Sequence, residues 1–212
     1  MGDLIPSKEE IRAICDSRFS PAVYEKLRQS SVAVAGLGGL GSNIAVMLAR
    51  TGIGRLKLID FDRVDLSNLN RQVYDVRHLG QLKTEALAQR LREINPYIDL
   101  ELYNGRITEA QVGDVFSGYR YICEAFDGPE DKAMLAQQVL SCLPRAYLVA
   151  GSGMAGYDDA DRIRTRKVSR RFYVCGDEQS DIAEGIGLMA PRVAVCAGHQ
   201  ANKIVQLILE ER

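Results

Sequence analysis

Two histidines serve all 212 residues, none of the five cysteines belongs to a CxxC pair, no apolar run nears the span of a bilayer, and neither sign of charge prevails. Each shortage removes a class of protein. His78 falls in a connecting stretch and His199 in the last helical pattern, so the chain lacks the acid–base histidine that hydride-transferring enzymes commonly use. Both rings are expected to be structural. Cys15, Cys123, Cys142, Cys175 and Cys196 are odd in number and scattered, which argues against a disulfide framework and fits a reducing cytosol. Apolar runs stop well short of the ~20 residues that a membrane helix needs. The start, MGDLIPSKEE, has no signal-peptide core, and Pro6 stands where a myristoylation signal carries Ser or Thr. Basic and acidic residues number 27 and 28, so no general field points to an anionic membrane, and nucleic acid is not expected as a partner. These absences predict a soluble, cytoplasmic protein.

What is present is an alternation of strand and helix. At 46% apolar, the chain can bury one ample core. A short helix is expected over Lys8 to Cys15. A second opens at Ser20 with Pro21 in its first turn and Val23, Tyr24 and Leu27 as its apolar stripe. SVAVAG, RLKLID, IDLELY, YRYICEAF and AYLVAG then read as strands. Helical patterns separate them at Ser42 to Thr51, at LKTEALAQRLREI before Asn95-Pro96, at a short stretch capped by Thr108 with Gln111, and at DKAMLAQQVL. This rhythm predicts a doubly wound, mainly parallel α/β sheet, Rossmann-like, with both faces covered.

After Gly151 the rhythm changes. The segment has few apolar periods, many turn residues and a basic run of Arg162, Arg164, Arg166, Lys167, Arg170 and Arg171. It reads as a solvated surface strand and loop, the alternative being a docking strip for an acidic partner. A helix from about Ala190 to Leu209 closes the pattern, with Val193, Ile204, Leu207 and Ile208 inward. One domain over residues 1–212 is expected: a helical arm (1–30), a nucleotide-binding core (31–150), and a crossover segment with a closing helix (151–212).

The chemistry lies in two clusters. GLGGLG, from Gly36 through Gly38 and Gly39 to Gly41, follows a strand and opens a helix. Glycine lets such a turn approach phosphates closely, and the helix start supplies free N–H groups and partial positive charge. Asp60 ends the next strand nineteen residues past Gly41, where it can accept hydrogen bonds from ribose hydroxyls. Those features alone fit an NAD-binding module or dehydrogenase as well as an ATP enzyme. The cluster DFDRVDLSNLNRQ and the residues after it separate the readings. Arg71 and Lys83 can neutralise a triphosphate, Asn68 can donate an amide to it, and Asp62 and Asp127 are hard oxygen ligands suited to Mg2+. Singly, Arg71 or Lys83 reads as a surface charge; gathered at the carboxyl ends of strands, the set does not.

GLGGLGSN, Asp60-Phe61-Asp62, SNLNRQ, Gly80 with Lys83, Ile94-Asn95-Pro96 and Asp127 together resemble the ubiquitin-activating-enzyme superfamily, on the side of its ThiF/MoeB-like bacterial members. EAFD, GSGMAGY and FYVCGD look most like a short ThiF-like subgroup assigned to thiamine biosynthesis. The resemblance implies an ATP- and Mg2+-dependent adenylyltransferase. Its substrate would be the C-terminal glycine carboxylate of a ubiquitin-fold sulfur-carrier protein ending in Gly-Gly. It implies that Asp60 holds the ribose, Asn68, Arg71 and Lys83 the phosphates, and Asp127 the magnesium. It also implies a homodimer in which Arg18 matches an arginine inserted into the partner's site. A relative that activates a carboxylate on modified tRNA, a threonylcarbamoyladenosine dehydratase, is the alternative. Larger relatives carry two CxxC pairs for zinc; this chain has none, so no zinc site is expected. The reactive cysteine of some ThiF proteins aligns near Ala183, leaving Cys175, beside the basic run, as the nearest thiol; a buried or idle cysteine is its preferred reading and a reactive thiolate the alternative.

Overall fold

The computed structural model describes residues 5–180, 185 and 187–211. Helix α1 (Lys8–Arg18) opens on a capping box in which Ser7 and Glu10 satisfy each other's backbone N–H groups. It buries none of its own residues. Helix α2 (Pro21–Arg28) starts as expected, with Ser20 accepting from the Val23 N–H, and turns Tyr24 and Leu27 inward.

The core alternates β1 (Ser31–Ala35), α3 (Gly39–Thr51), β2 (Arg55–Asp60), α4 (Lys83–Ile94), β3 (Asp99–Asn104), a single-turn α5 (Val112–Val115), β4 (Tyr121–Glu124), α6 (Pro129–Cys142) and β5 (Tyr147–Gly151). Two more strands follow, β6 (Arg164–Lys167) and β7 (Phe172–Gly176), and α7 (Ala190–Glu210) completes the order. The sheet runs β3-β2-β1-β4-β5-β7-β6 and is parallel except for the β6–β7 pair. The doubly wound α/β expectation is therefore met. Strand β1 is central, with Val32 opposite Leu56 on one side and Tyr121 on the other. Its apolar residues on both faces follow from helices covering both faces. Leu48 and Ala49 of α3, Leu87 and Leu91 of α4 and Ile204 of α7 pack against one face; Val112, Phe116, Leu135 and Val139 pack against the other.

The final helix buries Val193, Cys196, Ala197, Gln200, Ala201, Ile204, Leu207 and Ile208, the spacing of one helical face. Gln200 donates to the carbonyls of Glu124 (3.1 Å) and Val149 (3.0 Å), tying α7 to the ends of β4 and β5. Strand order reverses between β1 and β4, which opens a crevice at their carboxyl ends.

The basic run after Gly151 is the solvated strand and loop expected, with β6 (Arg164–Lys167) exposed along its length, but the residues that follow it depart from that reading. Phe172–Gly176 forms a strand beside β5, pairing Leu148 with Phe172 and Gly151 with Cys175, and its last four residues are buried. Five apolar or small residues are enough for a covered strand, although charged and turn residues flank them on both sides. Arg171 is not a solvated charge either. Its guanidinium donates to the carbonyls of Leu140, Leu143 and Ala146, satisfying the open end of α6. Among the described residues, no helix is long and apolar enough to cross a membrane.

Candidate active site

The glycine turn is built by close contact. Gly36 has φ +87, and a side chain there would begin 2.6 Å from the Ala125 carbonyl oxygen; one at Gly41 would begin 1.7 Å from the Gly36 oxygen. Gly38 is different: a Cβ there would meet only Gln72 Nε2, at 3.8 Å, so its bare face borders open cleft. Asp60, at the end of β2, holds the turn in place. Its carboxylate accepts from the Leu37 N–H (2.6 Å) and the Asp62 N–H (2.8 Å). At 8% exposure, burial pushes its pKa above the usual carboxylate value, against the pull of Lys83 and the two amides.

A cavity of about 310 Å³ lies between the ends of β1, β2 and β4. Gly36, Gly38, Asp60, Asp62, Lys83 and Asp127 line it, as expected from the sequence. Its remaining walls were not expected: Ile59, Phe61, Ile107 and Phe126 are apolar, and Arg106 and Asp131 join them. The Arg106 guanidinium sits 5.3 Å from the Phe61 ring centroid and 3.1 Å from Asp131. Phe61, 51% exposed between two aspartates, was the available signal, since a large aromatic ring at a strand end invites a flat partner.

A second, smaller cavity of about 180 Å³ shares Gly38, Asp62, Lys83, Ala125 and Asp127 with the first. It adds Gly39, Leu40, Asn68, Arg71, Gln72, Met154, Leu188 and Val193. Asn68 and Arg71 come from a tight turn after β2. Asp65 and Asn68 cap each other there, the Asn68 oxygen accepting from the Asp65 N–H at 3.0 Å. That use of the oxygen leaves the Asn68 NH2 facing, among the described residues, the Ser67 hydroxyl alone, at 3.5 Å. Arg71 donates through Nη1 to Asn70 (2.8 Å) and Ser67 (3.0 Å), while its buried Nε has no partner among the described residues. Lys83, the first residue of α4 and 6% exposed, places Nζ 2.7 Å from Asp62 and 4.0 Å from Asp60.

The expected set Gly36, Gly38, Gly39, Asp60, Asp62, Asn68, Arg71, Lys83 and Asp127 thus meets in two joined cavities, with Gly41 behind the turn. Asp62 is not a free ligand here, because it is paired with Lys83. Asp127 is exposed past β4. No three His, Cys, Asp or Glu side chains converge on one point among the described residues. Of the two acids expected to meet magnesium, Asp127 is the one without an ion pair among the described residues.

Two expectations fall elsewhere. Arg18, exposed at the end of α1, lines neither cavity. Cys175 is fully buried on β7, opposite Thr165, and burial pushes its thiol up to about 11. It is a core thiol, as its preferred reading had it, and not the alternative of a reactive thiolate beside the basic run. Ala183 lies outside the described residues. His78 is structural as expected, buried and accepting from the Asp75 N–H at 3.0 Å.

Sheet order, glycine turn and cleft define a Rossmann-like, nucleotide-binding type of α/β protein. The chain belongs to the ThiF family, whose model matches residues 12–212. The likeness to the ubiquitin-activating-enzyme superfamily is borne out. The chain is 47% identical over 94 residues to ubiquitin-like modifier-activating enzyme 5 of Arabidopsis thaliana, covering 44% of this chain and 22% of the relative. It is 32% identical over 154 residues to tRNA threonylcarbamoyladenosine dehydratase of Haemophilus influenzae, covering 72% of this chain and 58% of the relative. The chain thus spans less than two thirds of either relative. The E. coli tRNA threonylcarbamoyladenosine dehydratase in complex with AMP shares the fold, with a TM-score of 0.85 at 23% identity over 98% of both chains.

Proposed function

We propose that this chain uses ATP to adenylate a carboxylate. The observation that carries the reading is Arg71: a half-buried guanidinium whose Nε has no partner among the described residues, in a cavity that shares walls with the one held by Asp60 and the glycine turn. The donors fit a triphosphate. Gly36 and Gly38 admit the phosphates to the backbone, Asn68, Arg71 and Lys83 supply donors and charge, and Asp60 takes the ribose. Phe61, Ile107 and Phe126 provide an apolar slot for the base. Magnesium held at Asp127 would neutralise charge on the phosphates.

A carboxylate is a poor electrophile. Its attack on the α-phosphorus forms the acyl–phosphate bond and breaks the bond to pyrophosphate. The chain's own work is alignment, with Arg71 and Lys83 countering charge on the departing oxygens. Lys83 must exchange Asp62 for phosphate as ATP enters.

For the carboxylate, the dehydratase reading is preferred over the sulfur-carrier one. The dehydratase of H. influenzae is similar over 72% of this chain, and exposed Arg164, Lys167 and Arg170 offer cations to an RNA despite the balanced net charge. The carrier reading, with a thiamine pathway behind it, is second. It is favoured by the relative named as activating a ubiquitin-like modifier and by the small size of the second cavity, about 180 Å³, which Gly38, Gly39 and Met154 line. The continuous sheet from β3 to β6 supports reading the chain as one adenylating unit. Exposed Ile14, Leu66 and Val76 support a homodimer that would give Arg18 a role in its partner's site.

Calorimetry with ATP, ATP plus Mg2+, and NAD comes first; binding of NAD and not ATP would remove the adenylation reading. ATP–pyrophosphate exchange then decides the acceptor. Exchange stimulated by tRNA carrying threonylcarbamoyladenosine, with loss of one water from that nucleoside, supports the first acceptor. Exchange stimulated only by a Gly-Gly carrier supports the second. Sedimentation at ~23 kDa would count against the dimer.

A further inference from the structure

The smaller cavity contains a polar side chain that the fold does not use. Gln72 is 9% exposed, and its Oε1 is fully buried with no hydrogen-bond partner among the described residues. Its Nε2 faces Gly38, where the missing side chain leaves the cleft open. Beside it, the Arg71 Nε is likewise buried and unpartnered. An unpaired amide in a buried place costs stability, so a partner that completes it only when bound is the economical explanation.

The two unpaired groups ask for different chemistry. Arg71 asks for an anion. Gln72 asks for an acceptor at Nε2 and a donor at Oε1, because a side-chain amide carries both functions. The phosphates of ATP meet the first demand; a simple carboxylate meets the second and leaves Oε1 orphaned. An N-acyl α-amino carboxylate meets both demands of Gln72: its carboxylate accepts from Nε2, and its amide N–H, on the adjacent carbon, donates to Oε1. The cavity walls of Gly39, Met154, Leu188 and Val193, around about 180 Å³, leave room for a slim group of this kind.

We infer that Gln72 makes the acceptor site selective for carboxylates that carry an N-acyl N–H on the α-carbon. The inference rests on the adenylation reading above. It names the chemistry that a peptide C-terminus and an N-carbamoyl amino acid share, so it does not depend on which of them is the acceptor.

Two sulfamoyl-adenosine probes test it by calorimetry, one bearing an N-acetylglycyl group and the other an acetoxyacetyl group in which oxygen replaces the N–H. Wild-type protein is expected to bind the ester probe ~10-fold more weakly, the effect of leaving a buried acceptor unpaired. Gln72→Met should bind both within about twofold, keep its affinity for ATP, and melt no lower than wild type, since no internal hydrogen bond is lost. Equal binding of both probes by wild type, with ATP bound normally, overturns the inference and leaves adenylation standing. A Gln72→Met protein that melts lower and still discriminates also overturns it, because the amide would then be structural. Failure of wild type to bind ATP or either probe removes the adenylation reading itself.

Discussion

Asp60 and Gln72 are both buried polar side chains on the rim of one cleft, yet they are held in opposite ways. Asp60 is held before any ligand arrives: two backbone N–H groups and a nearby lysine fix its carboxylate, which keeps lone pairs for ribose hydroxyls. The same holds for Lys83 and Asp62. Around Gln72 the wiring stops, and both its Oε1 and the neighbouring Arg71 Nε go without partners among the described residues. The nucleotide side is shaped by its own hydrogen bonds, which favours binding that is alike in ground and transition states. Around Arg71 and Gln72 polar groups are kept in reserve, as expected of a place where the best partner carries shifting charge.

The contrast can be broken at its strong end first. Arg71→Ala should lower pyrophosphate exchange on the order of 10²–10³-fold while leaving ATP affinity within a few-fold. A loss confined to ATP affinity would mean that Arg71 only binds the phosphates and does not act on the charge that develops as pyrophosphate leaves.

Next is the support behind the smaller cavity. Arg192, at the start of α7, is buried against Asp177 and the carbonyls of Asp158 and Asp159. Burial alone would raise Asp177. The Ser180 and Gln179 N–H groups, the Ser180 hydroxyl and Arg192 outweigh it and hold the carboxyl at about 2. A carboxyl depressed in the fold stabilises above its unfolded value of 3.8, and that contribution is lost as pH falls from 3.8 toward about 2. Asp177→Asn should therefore cost ~3 kcal/mol at neutral pH by stranding a buried guanidinium. Urea melts should show the gap to wild type narrowing by ~2 kcal/mol across that acid window. ATP affinity should stay put. If it falls with stability, the two sides of the cleft are not separable.

Asp60→Ala should weaken ATP binding about tenfold, read by calorimetry, with a smaller change in the rate of the bound complex. Equal effects of Asp60→Ala and Arg71→Ala on rate would erase the contrast. Smallest of all, Cys175→Ala should leave exchange unchanged and destabilise by ~1 kcal/mol. A thiol reagent on the native protein should label exposed Cys142 and spare Cys175. Labelling of Cys175 before unfolding would reverse its reading as core.

What could be read from the sequence divides along the same line. β1, β2 and the helices between the first five strands are local patterns, visible as apolar runs and 3.6-residue periods. Gly36, Asp60 and Lys83 are visible because the turn dictates glycine and the strand end dictates an acid. β7 was missed because its five residues are hidden among arginines and turn residues, and only contact with β5 makes them a strand. Phe61, Ile107 and Phe126 read as ordinary apolar residues until the fold brings three strand ends together. Gln72 stood in plain view within SNLNRQ. Its meaning depends on what fails to reach it, and no sequence pattern reports that. Cys175 was singled out by adjacent charge in the chain, but burial decides a thiol's reactivity and only the packed sheet sets that.

One consequence of β6 concerns crowding and not chemistry. A sheet's last strand normally offers its free backbone groups to any strand that comes by, including one from another copy. Here that strand is Arg-Thr-Arg-Lys, exposed along its whole length, so two copies meeting edge to edge would set like charges opposite one another. The four residues that lengthen this sheet by one strand also keep a neighbour from lengthening it further.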